Sequence, residues 1–203
     1  MTQFVELPGL PLTGRQVKVR RFQLQDESRR QRWAKFTDPY FARYNFAARP
    51  EEENVRNFIR LADRIRLAVD DPAGRLIGYV SLKPIAQKND TAELGICFAA
   101  DAVGCHFGRE TLTLVLPWAY ETLGLQRIIL EVDEMNPRAV RLYQQLDFVI
   151  TESRWKPEED ARLIEYIKSG GCPFGFRWNN GQLEIHRWVM AWNAEEFIAR
   201  LST

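Results

Sequence analysis

The sequence predicts a single mixed α/β domain, with a central sheet flanked by helices. Segments that alternate apolar and polar residues are followed, along the whole chain, by segments with helical spacing. The 203 residues suffice for one sizeable core and do not require a second domain. The composition, 45% hydrophobic and 27% charged, is typical of a folded globular protein.

The first elements are a strand and two helices. Residues 17–22 alternate apolar and polar side chains and predict a strand. Asp26 is expected to cap a helix that includes Trp33 and Phe36. Pro50 is expected in the first turn of a second helix. The buried face of that second helix is predicted to carry Val55, Phe58, Ile59 and Ala62.

A β-meander is predicted next. Residues 65–69 and 76–82 form a hairpin around the turn signal at 70–74, and residues 91–100 form the third strand. A helix follows, with Pro117 expected to bend it and Gly124 to end it. The apolar face of this helix is predicted to consist of Leu112, Val115, Leu116, Ala119 and Leu123.

The last part of the chain continues the alternation. Residues 126–132 predict a strand, and Asn136 and Pro137 begin another helix as its cap and first residue. Residues 158–171 are expected to be helical, and residues 183–192 to form a long closing strand. The inner side of the helix after Asn136 is predicted to consist of Ala139, Val140, Tyr143 and Leu146.

Charge and hydropathy favour neither a nucleic-acid partner nor a membrane. Twenty-eight basic and 27 acidic side chains leave a net charge of +1, so no global field attracts a polyanion. The longest apolar run falls well short of the roughly 20 residues that a spanning helix needs. The N-terminal residues lack the pattern of a secretion signal, and we expect a cytoplasmic protein.

The cysteines predict neither disulfides nor a metal site. Cys97, Cys105 and Cys172 are odd in number and follow no framework spacing, which suits a reducing compartment. A zinc site that combines them with His106 is the alternative, but structural zinc usually uses close-spaced pairs such as C-x-x-C, which are absent here. We therefore predict no metal.

A turn with two glycines precedes the helix that ends at Gly124, and it has the form of an anion cradle. The N-terminus of a helix offers unpaired backbone N–H groups and a partial positive charge, which favour a group such as pyrophosphate. The residues predicted to hold that group are Val103, Gly104, Cys105, His106, Phe107, Gly108 and Arg109.

The order of elements and four sequence pieces resemble the GNAT superfamily of CoA-dependent N-acyltransferases. The pieces are "AELGICF", the loop at 103–108, "LGLQRIILEV" and "NPRAVRLYQQLDF". In the last piece Asn136, Ala139, Tyr143 and Phe148 fall at the family's spacing. The resemblance implies a mostly antiparallel twisted sheet over residues 1–203, with a short extension at 1–15 and an acceptor-side region at 153–203.

The expected chemistry is acetyl transfer from acetyl-CoA to a primary amine by direct attack in a ternary complex. Tyr143 is the candidate general acid, because a phenol stays protonated at neutral pH and can protonate a leaving thiolate. By resemblance Glu93 is the candidate base, directly or through water. Backbone N–H groups at Ile96, Cys97 and Phe98 are expected to meet the acyl carbonyl oxygen. By resemblance Asn136 also contacts the pantetheine arm.

Three positions depart from the family's pattern. Val103 stands where Gln or Arg is usual, His106 and Asp147 where glycine is usual. A side chain in a left-handed conformation costs of the order of 1 kcal/mol, although His and Asp adopt it more readily than most residues. His106 and Arg109 are expected to compensate in part by contacting phosphate.

Two hypotheses therefore remain, and we favour the first. The chain is an N-acetyltransferase, or it is a catalytically silent GNAT-like module that binds CoA weakly and acts through protein contacts. Asn136 and Tyr143 favour the enzyme, whereas Val103 and His106 favour the silent module. The expected acceptor is an amine-bearing small molecule or peptide N-terminus. The resemblance is also compatible with a homodimer.

Overall fold

A computed structural model describes residues 7–85, 88–170 and 174–201. Within these ranges the chain forms one nine-stranded sheet with helices on both faces. The strands are β1 (Leu12–Thr13), β2 (Lys18–Arg21), β3 (Ile65–Asp70), β4 (Leu76–Ile85), β5 (Lys88–Phe98), β6 (Arg127–Asp133), β7 (Val149–Pro157), β8 (Phe176–Asn179) and β9 (Gln182–Asn193). The helices are α1 (Leu24–Gln31), α2 (Glu51–Arg60), α3 (Phe107–Leu123), α4 (Pro137–Gln144), α5 (Ala161–Lys168) and α6 (Ala194–Leu201).

The sheet order creates a gap in its centre. The order is β1-β2-β3-β4-β5-β6-β9-β7, with β8 paired to β9, and every pair is antiparallel except β5 with β6. β5 and β6 pair only where residues 91–93 face residues 127–129. Both strands continue beyond this point without pairing to each other, so they separate and leave a cleft.

The main core lies between the sheet and α3. The predicted apolar face of α3 is confirmed, since Leu112, Val115, Leu116 and Ala119 are fully buried. Gly124 ends the helix in a left-handed conformation at φ 69°, as predicted. Pro117 lies inside α3, and its predicted bend stays a prediction. Among the helices of the described ranges, none is long and apolar enough to cross a bilayer.

The first helix differs from the prediction at both ends. Gln23 is its N-cap, and the Asp26 carboxylate instead accepts a hydrogen bond from the Gln23 N–H at 2.8 Å. The helix stops at Gln31, so Trp33 and Phe36 lie beyond it. The reason is tertiary, because the Trp33 indole N–H donates to the Leu76 carbonyl at 2.7 Å on the sheet.

The buried face of α2 was predicted only in part, since Val55 and Phe58 are half-buried and Phe58 packs on a small apolar cluster. Its buried residues are Asn54 and Asn57, whereas Ile59 is 65% exposed and Ala62 lies beyond the helix. This side of α2 packs on a polar cluster, in which the Asn57 amide donates to the buried Glu27 carboxylate. Amide groups therefore occupy the most buried positions of α2, where apolar side chains were expected.

The other predicted elements are confirmed with small changes in their ends. The hairpin and third strand of the meander are β3, β4 and β5, and the long closing strand is β9. The helix predicted at 158–171 is shorter, since Asp160 caps α5 and the helix ends at Lys168. Residues 7–13 pack on the core, where the Trp118 indole donates to the Pro8 carbonyl at 2.8 Å.

Candidate active site

The gap between β5 and β6 opens into a cleft with a cavity volume of about 710 Å³. One wall is the free edge of β5, and the opposite wall is the end of β6. The loop before α3 and one side of α4 complete the lining. Of the sequence-predicted site residues, only Cys105 lies outside this lining; it is exposed to solvent.

The edge of β5 presents backbone groups to the cleft. Cys97 pairs with Tyr79 and Phe98 with Gly78 on β4, but β6 no longer pairs with β5 here. A strand with a single neighbour leaves alternate backbone N–H and C=O groups on its other side without a partner from the sheet. These groups can therefore hydrogen-bond a ligand in the cleft. Burial raises the pKa of the Cys97 thiol to about 11, so it is not a thiolate nucleophile at neutral pH.

The loop before α3 keeps the geometry of an anion cradle. His106 is the N-cap of α3 and adopts a left-handed conformation at φ 62°, and Gly104 also has a positive φ, 87°. The His106 carbonyl accepts the first helical hydrogen bond, from the Glu110 N–H at 3.2 Å. The N–H groups of residues 107–109, in the first turn, therefore have no carbonyl acceptor within the helix and are available to an anion. Asp147 likewise adopts the left-handed conformation expected of it, at φ 67°.

Gly108 allows α4 to approach this loop closely. A Cβ atom at Gly108 would lie 3.2 Å from the Leu142 side chain on α4, closer than most carbon contacts. The start of α3 and the inner side of α4 therefore pack directly against each other and form the floor of one end of the cleft. Both helices contribute side chains to the lining.

Tyr143 and Asn136 reach the cleft from α4. The Asn136 side chain accepts a hydrogen bond from the Ala139 N–H at 3.2 Å, which confirms it as the helix cap. Tyr143 is 8% exposed, and its ring packs on Phe148 with centroids 5.6 Å apart. Burial raises the pKa of the Tyr143 phenol, and so the hydroxyl stays protonated in neutral solution.

Glu93 lies at the point where β5 and β6 separate. It is the last β5 residue that pairs with β6, opposite Ile129, and its side chain is exposed within the cleft lining. Among the described residues it forms no ion pair. An exposed carboxylate at this place is free to accept a proton from a bound amine.

The sequence did not indicate a buried charge cluster that forms the wall opposite β5. Asp133, at the end of β6, is 5% exposed and accepts hydrogen bonds from the Tyr44 hydroxyl at 2.5 Å and from Arg187 Nε at 2.8 Å. Arg43 binds both Asp133 and the buried Glu158. Burial, together with the charge of Asp133, raises the pKa of Tyr44, so this phenol stays protonated and donates a hydrogen bond to the carboxylate.

Three aromatic rings lie beside this cluster, in the segment between α1 and α2. Phe36, Phe41 and Tyr44 all line the cleft. The ring centroids of Phe36 and Phe41 are 6.1 Å apart, and those of Phe41 and Tyr44 are 6.4 Å apart. The rings form a continuous row, which we call the aromatic row. No motif signals it, because the three residues belong to an irregular segment.

Exposed arginines also line the cleft. Arg138 and Arg141 lie three residues apart on α4, which places them on one side of the helix, and Arg109 lies in the first turn of α3. Within the described ranges none of the three forms an ion pair with a carboxylate. Arg109 was predicted to contact phosphate, whereas the two arginines on α4 were missed.

The described residues contain no group of three or more metal-binding side chains. Cys97 is half-buried and Cys105 is exposed. Cys172, which the zinc alternative requires, lies outside the described residues.

Comparisons with a family model and with known proteins all point to acetyltransferases. The model of the acetyltransferase (GNAT) domain matches residues 16–149. The spermidine N(1)-acetyltransferase of Vibrio cholerae is 36% identical over 100 residues, which are 49% of this chain and 53% of that protein. The mycothiol acetyltransferase of Salinispora tropica is 34% identical over 101 residues, which are 48% of this chain and 31% of that protein. The chain thus matches about half of the first relative's length and about a third of the second's.

Solved structures show the same fold. The V. cholerae spermidine N-acetyltransferase in complex with CoA and spermine has a TM-score of 0.63 and 21% identity, and the match covers 91% of this chain and 99% of that one. A dodecameric structure of the same enzyme has a TM-score of 0.62 and 22% identity, over 92% and 99% of the two chains. At this identity the likeness concerns the fold.

Proposed function

This chain belongs to the GNAT family of acetyltransferases, and we propose on that premise that it transfers an acetyl group from acetyl-CoA to a primary amine. The observation that carries the proposal is the convergence of three features on one cleft. The free edge of β5, the open N-terminus of α3 and the buried phenol of Tyr143 all face the gap between β5 and β6.

The residues of the cleft fit CoA. The first-turn N–H groups of α3 suit the diphosphate, and Arg109 and Arg141 provide positive charge that Val103 does not. The edge of β5 at residues 96–98 can hydrogen-bond the amides of the pantetheine arm, and Asn136 lies along the same path. When bound, acetyl-CoA supplies the activated thioester carbonyl.

Proton transfers are assigned to two side chains. Glu93, directly or through a water molecule, accepts the proton that the amine loses as its nitrogen attacks the thioester carbon. Backbone N–H groups of β5 stabilise the negative charge that develops on the carbonyl oxygen. Tyr143 donates its proton to the sulfur as the carbon–sulfur bond breaks, so that the thiol of CoA leaves uncharged.

The silent alternative loses its main support once the loop geometry is known. Its argument was that His106 damages the cradle, yet His106 adopts the left-handed conformation that the loop needs. The cost, of the order of 1 kcal/mol, falls on the backbone and leaves the first-turn N–H groups of α3 open. Val103 is the remaining departure, and the arginines of the cleft offset it.

Acceptor, assembly and location are also proposals. The acceptor is an amine-bearing small molecule or peptide N-terminus, and spermidine, on which the V. cholerae relative acts, is a first amine to test. A homodimer is proposed from the family resemblance. A cytoplasmic location is supported by three cysteines without paired spacing.

Calorimetric titration with acetyl-CoA tests the proposal directly. We expect saturable binding, and no detectable heat at millimolar cofactor would refute the enzyme. Tyr143→Phe should lower turnover by roughly 10²- to 10⁴-fold while leaving CoA affinity nearly unchanged. Tyr120→Phe, on α3 and outside the cleft lining, is the matched control and should retain turnover. Unchanged turnover in Tyr143→Phe would remove Tyr143 as the general acid.

A further inference from the structure

The charges of the cleft restrict which amine can occupy the acceptor side. Three carboxylates line the cleft, those of Glu93, Glu131 and Asp133. An acceptor with several ammonium groups would need several carboxylates free to pair with them. The number of these carboxylates that are free to pair therefore decides whether the cleft suits a monoamine or a polyamine.

Asp133 is not available to a substrate cation. It is 5% exposed, and the Tyr44 hydroxyl, Arg43 and Arg187 already satisfy its oxygens. A substrate ammonium would have to displace Arg43 or Arg187 from Asp133 and so break a buried ion pair, which is unfavourable.

Glu131 is also neutralised. Lys156 Nζ lies 2.5 Å from its Oε2 atom, Arg154 Nη1 lies 3.4 Å from Oε1, and Arg187 Nη1 lies 3.7 Å from Oε2. Arg154 and Arg187 have nearer carboxylate partners, so Lys156 is the cation that neutralises Glu131. A substrate ammonium would have to compete with Lys156 for this carboxylate.

Glu93 is thus the one carboxylate of the cleft lining without an ion pair among the described residues. Arg138 lies in the same lining, also without a carboxylate partner, and adds positive charge near the aromatic row. The cleft therefore accommodates one amine beside Glu93 and disfavours a second ammonium further along.

The aromatic row provides the complementary apolar surface. The segment that carries it is held in place, because the Phe36 N–H donates to Asn45 Oδ1 at 2.7 Å and the Asn45 amide donates back to the Phe36 carbonyl at 2.9 Å. Tyr44 is fixed by its hydrogen bond to Asp133. Rings that are held before binding contact a flat ligand at low entropic cost.

We propose that the acceptor is a primary monoamine that carries an aromatic ring or a similarly large apolar group, and not a polyamine. This inference rests on the acetyl transfer proposed above. The amine lies at Glu93, where it loses its proton before attack, and the apolar group packs on Phe36, Phe41 and Tyr44. The reaction forms an amide and the thiol of CoA.

The test compares three amines on the full-length protein at saturating acetyl-CoA, with product CoA and amide measured by chromatography. The amines are 2-phenylethylamine, n-butylamine and spermidine. We expect kcat/KM for 2-phenylethylamine to exceed that for n-butylamine by roughly tenfold or more, which corresponds to burial of the ring. It should exceed the value for spermidine as well.

Phe41→Leu should reduce the preference for 2-phenylethylamine over n-butylamine by roughly 3- to 10-fold, with CoA affinity unchanged. Phe36→Leu is a second variant of the same row in case the first one fails to fold. Phe174→Leu, at a residue 63% exposed and outside the cleft lining, is the matched control and should keep the preference.

The outcomes separate this inference from the proposed function. If acetyl-CoA binds and spermidine is the best of the three substrates, the monoamine inference is wrong and the acetyltransferase stands. If acetyl-CoA binds and none of the three amines is acetylated, the inference is likewise overturned. Absence of acetyl-CoA binding would overturn both.

Discussion

Replacement of Asp133 by Asn tests whether the buried charge cluster stabilises the wall of the cleft opposite β5. Asp133 is 5% exposed and is bound by Tyr44, Arg43 and Arg187. Removing one partner of a buried ion pair costs about 3–5 kcal/mol, because the remaining charge stays buried. Arg43 keeps Glu158 and Arg187 stays 3.7 Å from Glu131, so we expect the lower end of that range, about 3 kcal/mol.

Thermal and urea unfolding measure this loss. For a chain of this size about 3 kcal/mol corresponds to a decrease in Tm of roughly 6–12 °C. The control is Glu152→Gln, which breaks an ion pair between side chains 56% and 46% exposed and should cost less than about 1 kcal/mol. A free energy of unfolding for Asp133→Asn within about 1 kcal/mol of the unmodified protein would refute the reasoning.

Two further predictions concern the loop and the thiols. His106→Gly should tighten acetyl-CoA binding by up to roughly fivefold in calorimetry, because removal of the imidazole lets phosphate hydrogen-bond the backbone more closely, a gain of about 1 kcal/mol. The loop already adopts φ 62° at this residue, so relief of the backbone cost should stabilise the fold and not the complex. Weaker binding would instead identify His106 as a phosphate ligand. In a Cys172→Ser variant at pH 8, a thiol reagent should label the exposed Cys105 rapidly and Cys97 slowly. Burial raises the pKa of Cys97 to about 11, so its thiolate fraction at pH 8 is very small. Equal labelling rates, measured by mass spectrometry, would contradict the burial of Cys97.

Local sequence patterns predicted the half of the cleft to which we assign the cofactor. The loop at 103–108 and the helix capped by Asn136 are short contiguous segments, and spacing alone places Tyr143 on the inner side of α4. Helix ends, left-handed positions and buried faces of this kind depend on neighbouring residues. These features could therefore be predicted before the fold was known, and His106 and Asp147 adopt the conformations expected of them.

Patterns were misleading where a polar tertiary contact competes with an apolar face. The spacing of Val55, Phe58 and Ile59 favoured an apolar inner face of α2, but Asn57 turns inward to the buried Glu27. Trp33 would extend α1 by periodicity, yet its indole binds a sheet carbonyl instead. In both cases the partner lies more than 25 residues away in the chain, where no local pattern reaches.

The sequence by itself determined the family resemblance, the central elements and the loop and helix to which we assign the cofactor, because these depend on spacing within short segments. Only the tertiary structure decided the wall of the cleft opposite β5. Asp133 meets Tyr44, Arg43 and Arg187 across separations of 89, 90 and 54 residues. Each is an ordinary charged or aromatic residue in its own segment. Burial of Asp133 in one cluster leaves Glu93 as the carboxylate of the cleft lining that has no ion pair among the described residues. That outcome depends on which distant charges the fold brings into contact.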